Sequence, residues 1–577
     1  MQKLSPLPLP PLDDTFPRFL HWAQPFLNEQ QQAETAATIQ RLKPDAEQWQ
    51  AQLAEKQKNQ PTGWLYDDWI HSYLSTREPL TLSANFAVEI FPEVQKDVSF
   101  LEHFIHALVH IASLWQQKKY PPESDLRGSA IDMNPFAVLG GYCRIPKPRE
   151  DMLYFARNSK HIAVYHHDQL YRLEVLDNDF QAAQLPDIIG MLTAKAHQNN
   201  DIRLSAAGFM PIDDAAAWRT MLKESHADYF ETIESSLFTI TLIDEAANTE
   251  NEALRQALFL NGSHGWPFKS MHFVFNTFNN RLWANFEHSY QDAGLLTALL
   301  QKVQIFMANN ANVIGGNIIR ALPQRISENL STKQQKQLAV YQQNYLQKTQ
   351  NTVIQSLKYA VNPQVIKTVG ADALCQLIHV YAILKVMGEP RSIYEAVAVP
   401  HFAYGRTECV RAFSAQMQAL AAAMLGGCTA SKEILSALLA AAVQEHKNRI
   451  KQCKKGLGVD RHLLGLKLAA EQDKSVSTAA QVFFNGQAYQ KESENFFSTS
   501  SLGAVGLTGV LIYNPVESEG FGVAYGYREN AVIWHLSYAK HLSAQAQAIA
   551  EAFQEGLACA ERLVGICGEY LLNEKNQ

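Results

Sequence analysis

Apolar and polar residues alternate through Arg281-Leu282-Trp283-Ala284-Asn285-Phe286 and, past a polar stretch, give way to a helical run from Leu295 onward. This predicts a half-buried strand, a short connection and a helix. Further β-branched and aromatic runs at Ile162-Ala163-Val164-Tyr165, Leu170 to Leu176 and Met271 to Phe275 predict strands too. Helical patterns intervene, so this half reads as α/β. Residues 15–60 are rich in Gln, Ala, Glu and Lys with helical apolar spacing (Phe19-Leu20, Trp22-Ala23, Phe26-Leu27), which predicts surface helices. The stretch from Ser327 to Gln355 is polar, glutamine-rich and free of glycine and proline, so it predicts an exposed helix joining two halves. Beyond it, helical stretches at 370–388 and 410–455 and strand-like runs at Val510 to Tyr513 and Ala531 to Leu536 make the second half α/β as well.

The polar stretch between strand and helix, Glu287-His288-Ser289-Tyr290-Gln291-Asp292-Ala293-Gly294, carries the most chemistry. A histidine at a strand's end can face a cleft as a general base, and a carboxylate four residues on can orient the ring and support the imidazolium. A capped helix start with an incidental histidine accounts for the same residues. At 577 residues, 47% of them hydrophobic and 19% charged, the chain can bury a large core and exceeds one ordinary domain. A formal charge of -7 and a pI near 6.3 provide no basic field for a nucleic acid. No run of about 18 uncharged apolar residues and no basic-then-apolar leader is found, which predicts a soluble chain without a membrane partner. Seven dispersed cysteines without Cys-x-x-Cys spacing argue against a disulfide framework and a zinc site. With no Ser-Lys-Leu ending, a cytoplasmic, reducing location is expected.

An ordered set of segments resembles the choline/carnitine O-acyltransferase family nearly end to end. The set begins with Pro6-Leu7-Pro8-Leu9-Pro10-Pro11-Leu12-Asp13-Asp14-Thr15 and continues with Met133-Asn134, Gly141-Tyr142-Cys143-Arg144-Ile145-Pro146, Ser159-Lys160-His161-Ile162 and Trp266-Pro267-Phe268-Lys269-Ser270. The family's catalytic histidine sits in a His-x-x-x-(Asp/Glu)-Gly setting like that of His288. The resemblance implies two similar chloramphenicol-acetyltransferase-like α/β domains around a central active-site tunnel. The expected division is an N-terminal helical segment (1–85) packing with the C-terminal domain, a catalytic domain (86–345) carrying His288 and a substrate-binding domain (346–577). A monomer is expected.

The resemblance also implies the substrates. Tyr394, Thr407 within Gly405-Arg406-Thr407-Glu408, and Arg461 within Asp460-Arg461-His462 match the elements that hold the carboxylate of L-carnitine, which choline lacks. Two hydroxyls and a guanidinium fork suit a carboxylate. Ser498-Thr499-Ser500 is similar to the family's Ser-Thr-Ser element, with Ser500 at the position that supports the oxyanion. Tyr513 falls where an aromatic faces the trimethylammonium, and Leu511 where a bulky residue closes the acyl pocket. A short acyl group, acetyl above all, is favoured, although Gly509 lies only two residues away. The implied reaction is direct transfer with His288 as base and Asp292 as its partner, with CoA or acetyl-CoA as co-substrate and no bound cofactor. A Ser-His-Asp reading lacks a Gly-x-Ser-x-Gly elbow.

Two departures stand out. Ala293 intervenes between Asp292 and Gly294, and the lysine pair that meets the 3′-phosphate of CoA is replaced by Val361 and Val365 ahead of Val369-Gly370-Ala371-Asp372. Asp372 and Gln376 still match on the donor side, and Lys358 or Lys367 is left to supply charge there. An acyl carrier protein, whose pantetheine arm has no 3′-phosphate, is the alternative donor. His166-His167-Asp168 reads as a hairpin turn, and no metal is expected.

Overall fold

The computed structural model describes residues 4–125, 127–182, 202–310, 322–473 and 477–574. The first part of the chain supplies strands β1 (Phe86–Ile90), β2 (Tyr142–Ile145), β3 (Met152–Phe155), β4 (His161–His166), β5 (Gln169–Glu174), β6 (Thr239–Ile243), β7 (Met271–Asn276), β8 (Arg281–Phe286) and β9 (Gln324–Arg325). The second supplies β10 (Thr352–Ala360), β11 (Ile393–Ala398), β12 (Thr407–Arg411), β13 (Phe497–Ala504), β14 (Thr508–Tyr513), β15 (Phe521–Arg528) and β16 (Ala531–Ala539). They form an eight-stranded sheet in the order β14-β1-β8-β7-β6-β4-β5-β9, a six-stranded sheet in the order β10-β16-β15-β13-β11-β12, and the pair β2-β3. Both halves are α/β.

The alternation read at residues 281–286 sorts side chains between two covered faces. Phe273, Phe275, Leu282, Ala284 and Phe286 join the core with the helices Val98–Gln116 and Ala293–Asn309, whereas Val274 and Trp283 meet the helix Glu250–Phe259. Central strands buried on both faces follow. The helix Val98–Gln116 is long and apolar enough to cross a membrane, and here its Leu101, Phe104, Leu108 and Ile111 are buried in this core. The expected turn at His166-His167-Asp168 joins β4 to β5. His167 and Asp168 take φ of 48° and 58°, the left-handed pair that a two-residue hairpin turn requires.

In the second half the helices Ala371–Met387 and Ser543–Glu574 pack on the six-stranded sheet, with Leu374, Ile378, Phe553 and Leu557 buried beside Phe497 and Trp534. The helices Leu12–Ala23 and Glu29–Asn59, expected at the surface, bury one face there too: Phe19, Trp22, Leu42 and Trp49 belong to the same core. Trp64 Nε1 donates to the carbonyls of Leu7 and Pro8 at 3.2 Å each, holding the proline-rich opening on that half. The joining helix is Thr332–Thr349, largely exposed and anchored by Leu338 and Tyr345.

One strand of the second half crosses to the sheet of the first. β14 pairs antiparallel with β1, Phe86 opposite Tyr513 and Val88 opposite Leu511, and so completes the sheet of the other half.

Candidate active site

β8 ends at Phe286, and the residues before the helix Ala293–Asn309 are held from inside. The wholly buried Glu287 accepts from Tyr142 Oη at 3.1 Å, Ser289 Oγ at 2.8 Å and Ser289 N at 3.1 Å, and pairs with Arg144 at 3.3 Å. Arg144 in turn holds Asp151 at 2.7 Å. Buried charges paired in this way constrain the backbone on either side, although Arg144 Nη2 is left without a hydrogen bond among the described residues.

His288 is the reachable member of this loop, with 28% of its side chain exposed. Its Nδ1 donates to the Gln291 carbonyl at 2.7 Å, an arrangement that assigns the proton to Nδ1 and leaves the Nε2 lone pair open. Asp292 does not orient the ring as expected. Its carboxylate is 3.8 Å from Nδ1 and is gripped instead by Arg406, through Nε at 2.8 Å and Nη2 at 3.1 Å. The same guanidinium donates to the carbonyls of His288 at 2.9 Å and of Ser289. Arg406 holds a φ of 56°, a left-handed backbone uncommon for arginine. Burial lowers the His288 pKa, the Asp292 charge opposes that shift and the Arg406 charge adds to it, for a net value below the ordinary one. The ring is neutral at pH 7 and able to accept a proton at Nε2.

Tyr394, Thr407 and Arg461 meet. Arg461, in the first turn of the helix Asp460–Gln472, donates from Nη2 to Tyr394 Oη at 2.8 Å, from Nε to the Thr407 carbonyl at 3.2 Å and from Nη1 to Asp460 at 3.0 Å. Tyr394 lies beside Ser498 where β11 runs parallel to β13, and Tyr513 Oη donates to the Ser498 carbonyl at 2.8 Å. Gly522 leaves room for this, since a β-carbon there would stand 3.2 Å from the Tyr513 ring and 2.3 Å from Ser537 Oγ. Opposite Tyr513, the Phe86 ring centroid is 5.0 Å from that of His288.

Four residues that local pattern did not mark close the circuit. Trp69 and Tyr73, on one face of the helix Tyr66–Leu74, bring their rings to 4.1 Å from the Arg461 guanidinium and 5.6 Å from His288. The Arg406 guanidinium lies 5.8 Å from Trp69 and 5.6 Å from Tyr73. His288, Tyr73, Arg406, Trp69, Arg461, Tyr394, Ser498, Tyr513 and Phe86 thus form a closed ring of contacts drawn from both halves and the N-terminal helices. The aromatic spacing of Tyr66, Trp69 and Tyr73 was the one local signal available. Nothing in the neighbourhood of Arg406 or Phe86 pointed to the base.

Ser500, two residues beyond Ser498 on the same strand face, is half-buried and its Oγ has no hydrogen bond among the described residues. Leu511 is buried at 4% exposure opposite Val88. A β-carbon at Gly509 would stand 3.3 Å from that of Glu89, and both residues border a cavity between the two sheets.

Of the residues expected on the donor side, Asp372 and Gln376 meet at Tyr525 Oη, while Lys358 borders a cavity that neither reaches. Gln376 is wholly buried, its amide donating to Thr499 Oγ1 at 3.1 Å and Tyr525 Oη at 3.2 Å, so core packing has claimed it. Asp372 accepts from Tyr525 Oη at 2.6 Å and His446 Nε2 at 2.8 Å. Lys358 lines a cavity of about 670 Å³ between the two sheets together with Lys96, Arg281 and Arg528, and neither Asp372, Gln376 nor Lys367 borders it. Lys367 is exposed near the end of the helix Pro363–Val369. Val361 and Val365 are buried in the core.

The fold presents a histidine between two α/β halves, and the comparisons with known proteins give its class, an acyltransferase. The family model described as choline/carnitine o-acyltransferase matches residues 7–555, and the chain belongs to that family. Human carnitine O-acetyltransferase is 23% identical over 92% of this chain and 89% of its own length. Bovine peroxisomal carnitine O-octanoyltransferase is 26% identical over 92% of this chain and 91% of its own. The mitochondrial carnitine O-palmitoyltransferase 2 of Xenopus tropicalis is 23% identical over 92% and 87%.

Proposed function

We propose that this protein transfers a short acyl group, acetyl above all, reversibly between a thioester donor and the hydroxyl of L-carnitine, with His288 as general base and no acyl-enzyme. The observation that carries this reading is the single hydrogen bond from His288 Nδ1 to the Gln291 carbonyl, which leaves Nε2 as a lone pair in the ring of contacts. Nε2 takes the hydroxyl proton as the oxygen attacks the thioester carbonyl. The tetrahedral oxyanion accepts from Ser500 Oγ, a donor of a kind typically worth ~3 kcal/mol. The C–S bond then breaks and the imidazolium returns its proton to the departing thiolate.

The choice of acceptor rests on the hydrogen-bond donors of Arg461. Arg411 and Arg461 share Asp460, at 2.9 Å from Arg411 Nε and 3.0 Å from Arg461 Nη1. The buried carboxyls of Glu408 and Glu492 also face these arginines, so the free donors of Arg461, not a surplus charge, favour a carboxylate. Three of the five Arg461 N–H groups are engaged, so one on each Nη is open to a carboxylate fork. Tyr513 would face the trimethylammonium, as cation–π attraction favours. Leu511, buried opposite Val88, supports a closed acyl pocket and a short chain. Relatives named for acetyl, octanoyl and palmitoyl transfer leave chain length to these residues.

CoA is the donor proposed, held without its 3′-phosphate clamp. The buried Val361 and Val365 also favour a carrier-protein donor, whose pantetheine lacks that phosphate. The test is thiol release from acetyl-CoA and from its 3′-dephospho form, with L-carnitine or choline as acceptor. Release should depend on carnitine, fall by roughly 10²-fold or more in His288→Ala, and show similar KM for the two donors. Carnitine-dependent turnover indifferent to His288→Ala would refute the base. A tenfold preference for the phosphorylated donor would refute the missing clamp. Folded protein inert with both donors would move the reading to a carrier protein or a silent scaffold.

A further inference from the structure

β11 shows two faces to two different environments. Tyr394 looks into the ring of contacts around His288, and the next residue, Glu395, points to the rear, where it meets the helices Ala371–Met387 and Lys432–Lys454. Asp372 and His446 come from those helices. His446 Nε2 lies 2.8 Å from Asp372 Oδ2 and 3.9 Å from Glu395 Oε2, and one ligand atom from each of the three lies within 4.8 Å of the other two.

What separates this cluster from an ordinary ion pair is the state of Glu395. The residue is only 5% exposed, and its Oε2, the very atom that faces His446, has no hydrogen-bond partner. A buried carboxylate oxygen left unpaired is costly. A cation placed between the two carboxylates and the imidazole would satisfy it. Tetrahedral ligands at about 2.1 Å from an ion stand roughly 3.4 Å apart, and the observed 2.8 and 3.9 Å bracket that spacing. Tyr525 Oη already holds the other Asp372 oxygen at 2.6 Å, the outer-shell support that orients a ligating carboxylate. The Asp372 side chain is 43% exposed, which provides an entry path and a position for water.

We propose that Asp372, Glu395 and His446 bind a divalent transition-metal ion. One imidazole nitrogen with two carboxylate oxygens suits Zn²⁺ or Mn²⁺, and Zn²⁺ binds the tighter of the two on the general order of affinities. The ion would tie two helices to the rear of the strand that presents Tyr394. This departs from the expectation of no metal, which rested on the spacing of His166, His167 and Asp168 and on the cysteines.

The experiment is titration of the full-length, chelator-stripped protein with ZnCl₂ by calorimetry, followed by X-ray absorption of the zinc-loaded protein. Saturable binding of one equivalent is expected, weakened by about tenfold or more in each of Glu395→Gln and His446→Gln, with a zinc shell of one imidazole and oxygen ligands. Binding unchanged in both variants, or no saturable binding, would overturn the proposal. So would two or more imidazoles in the shell, which would put zinc on a histidine surface such as His103, His106 and His110. Should either variant misfold, the absorption spectrum of the unaltered protein still decides.

Discussion

Asp292 and Arg406 act on the His288 imidazole with opposite signs, and this pair would set the pH range in which the proposed base is available. In the proposed reaction neutral imidazole is the working form, so kcat/KM should fall as pH drops through its pKa, which burial already places below the ordinary value. Asp292→Asn removes the charge that favours imidazolium and leaves Arg406 unopposed, so the acidic limb should move to lower pH. Arg406→Ala removes the disfavouring charge and should move the limb to higher pH. Opposite shifts in the two pH–rate profiles are the expected outcome. Shifts in the same direction would mean that loop geometry, not charge, dominates. The Nδ1 bond goes to a backbone carbonyl, and both variants keep that acceptor.

At the scale of elements, β11, β12 and the helix Asp460–Gln472 meet at Arg461, the proposed partner of the acceptor carboxylate. The backbone N–H of Arg461 donates to Glu408 at 3.2 Å and its side chain to Tyr394 and Thr407. Hydrogen bonds to charged groups are worth about 1.5–3 kcal/mol, so Arg461→Asn should raise KM for L-carnitine roughly 10–100-fold and leave kcat much less affected. Turnover with choline, lacking the carboxylate, should not worsen. An unchanged carnitine KM would remove Arg461 from the acceptor site. The strands β7, β8 and β16 and the helix Ala371–Met387 were legible from alternation and apolar periodicity, because each is a local pattern. Gln376 was not, because its burial depends on Thr499 and Tyr525, more than a hundred residues away.

Across the whole molecule, β14 joins the halves: it leaves the chain of the second half to lie on β1, and its register puts Tyr513 beside Phe86. The two sheets should therefore lose structure together. Ile512, 1% exposed and opposite Ala87, tests this. Ile512→Ala should cost about 2–5 kcal/mol, and hydrogen exchange should show protection of β8 and β16 amides falling in step. Loss confined to one sheet would mean that the halves unfold independently.

By itself the sequence determined the strand–turn–helix around His288, the α/β character of both halves, the joining helix and, through resemblance, the family. Period and turn chemistry act over a few residues, and these features need nothing more. Tertiary structure alone decided that Arg406 takes Asp292 away from His288, that Trp69 and Tyr73 wall the site from the N-terminal helices, that β14 crosses between sheets and that Glu395 is buried facing His446. Each of these depends on which apolar faces pack together, and that choice is made by burial across the whole chain and not by neighbours in sequence.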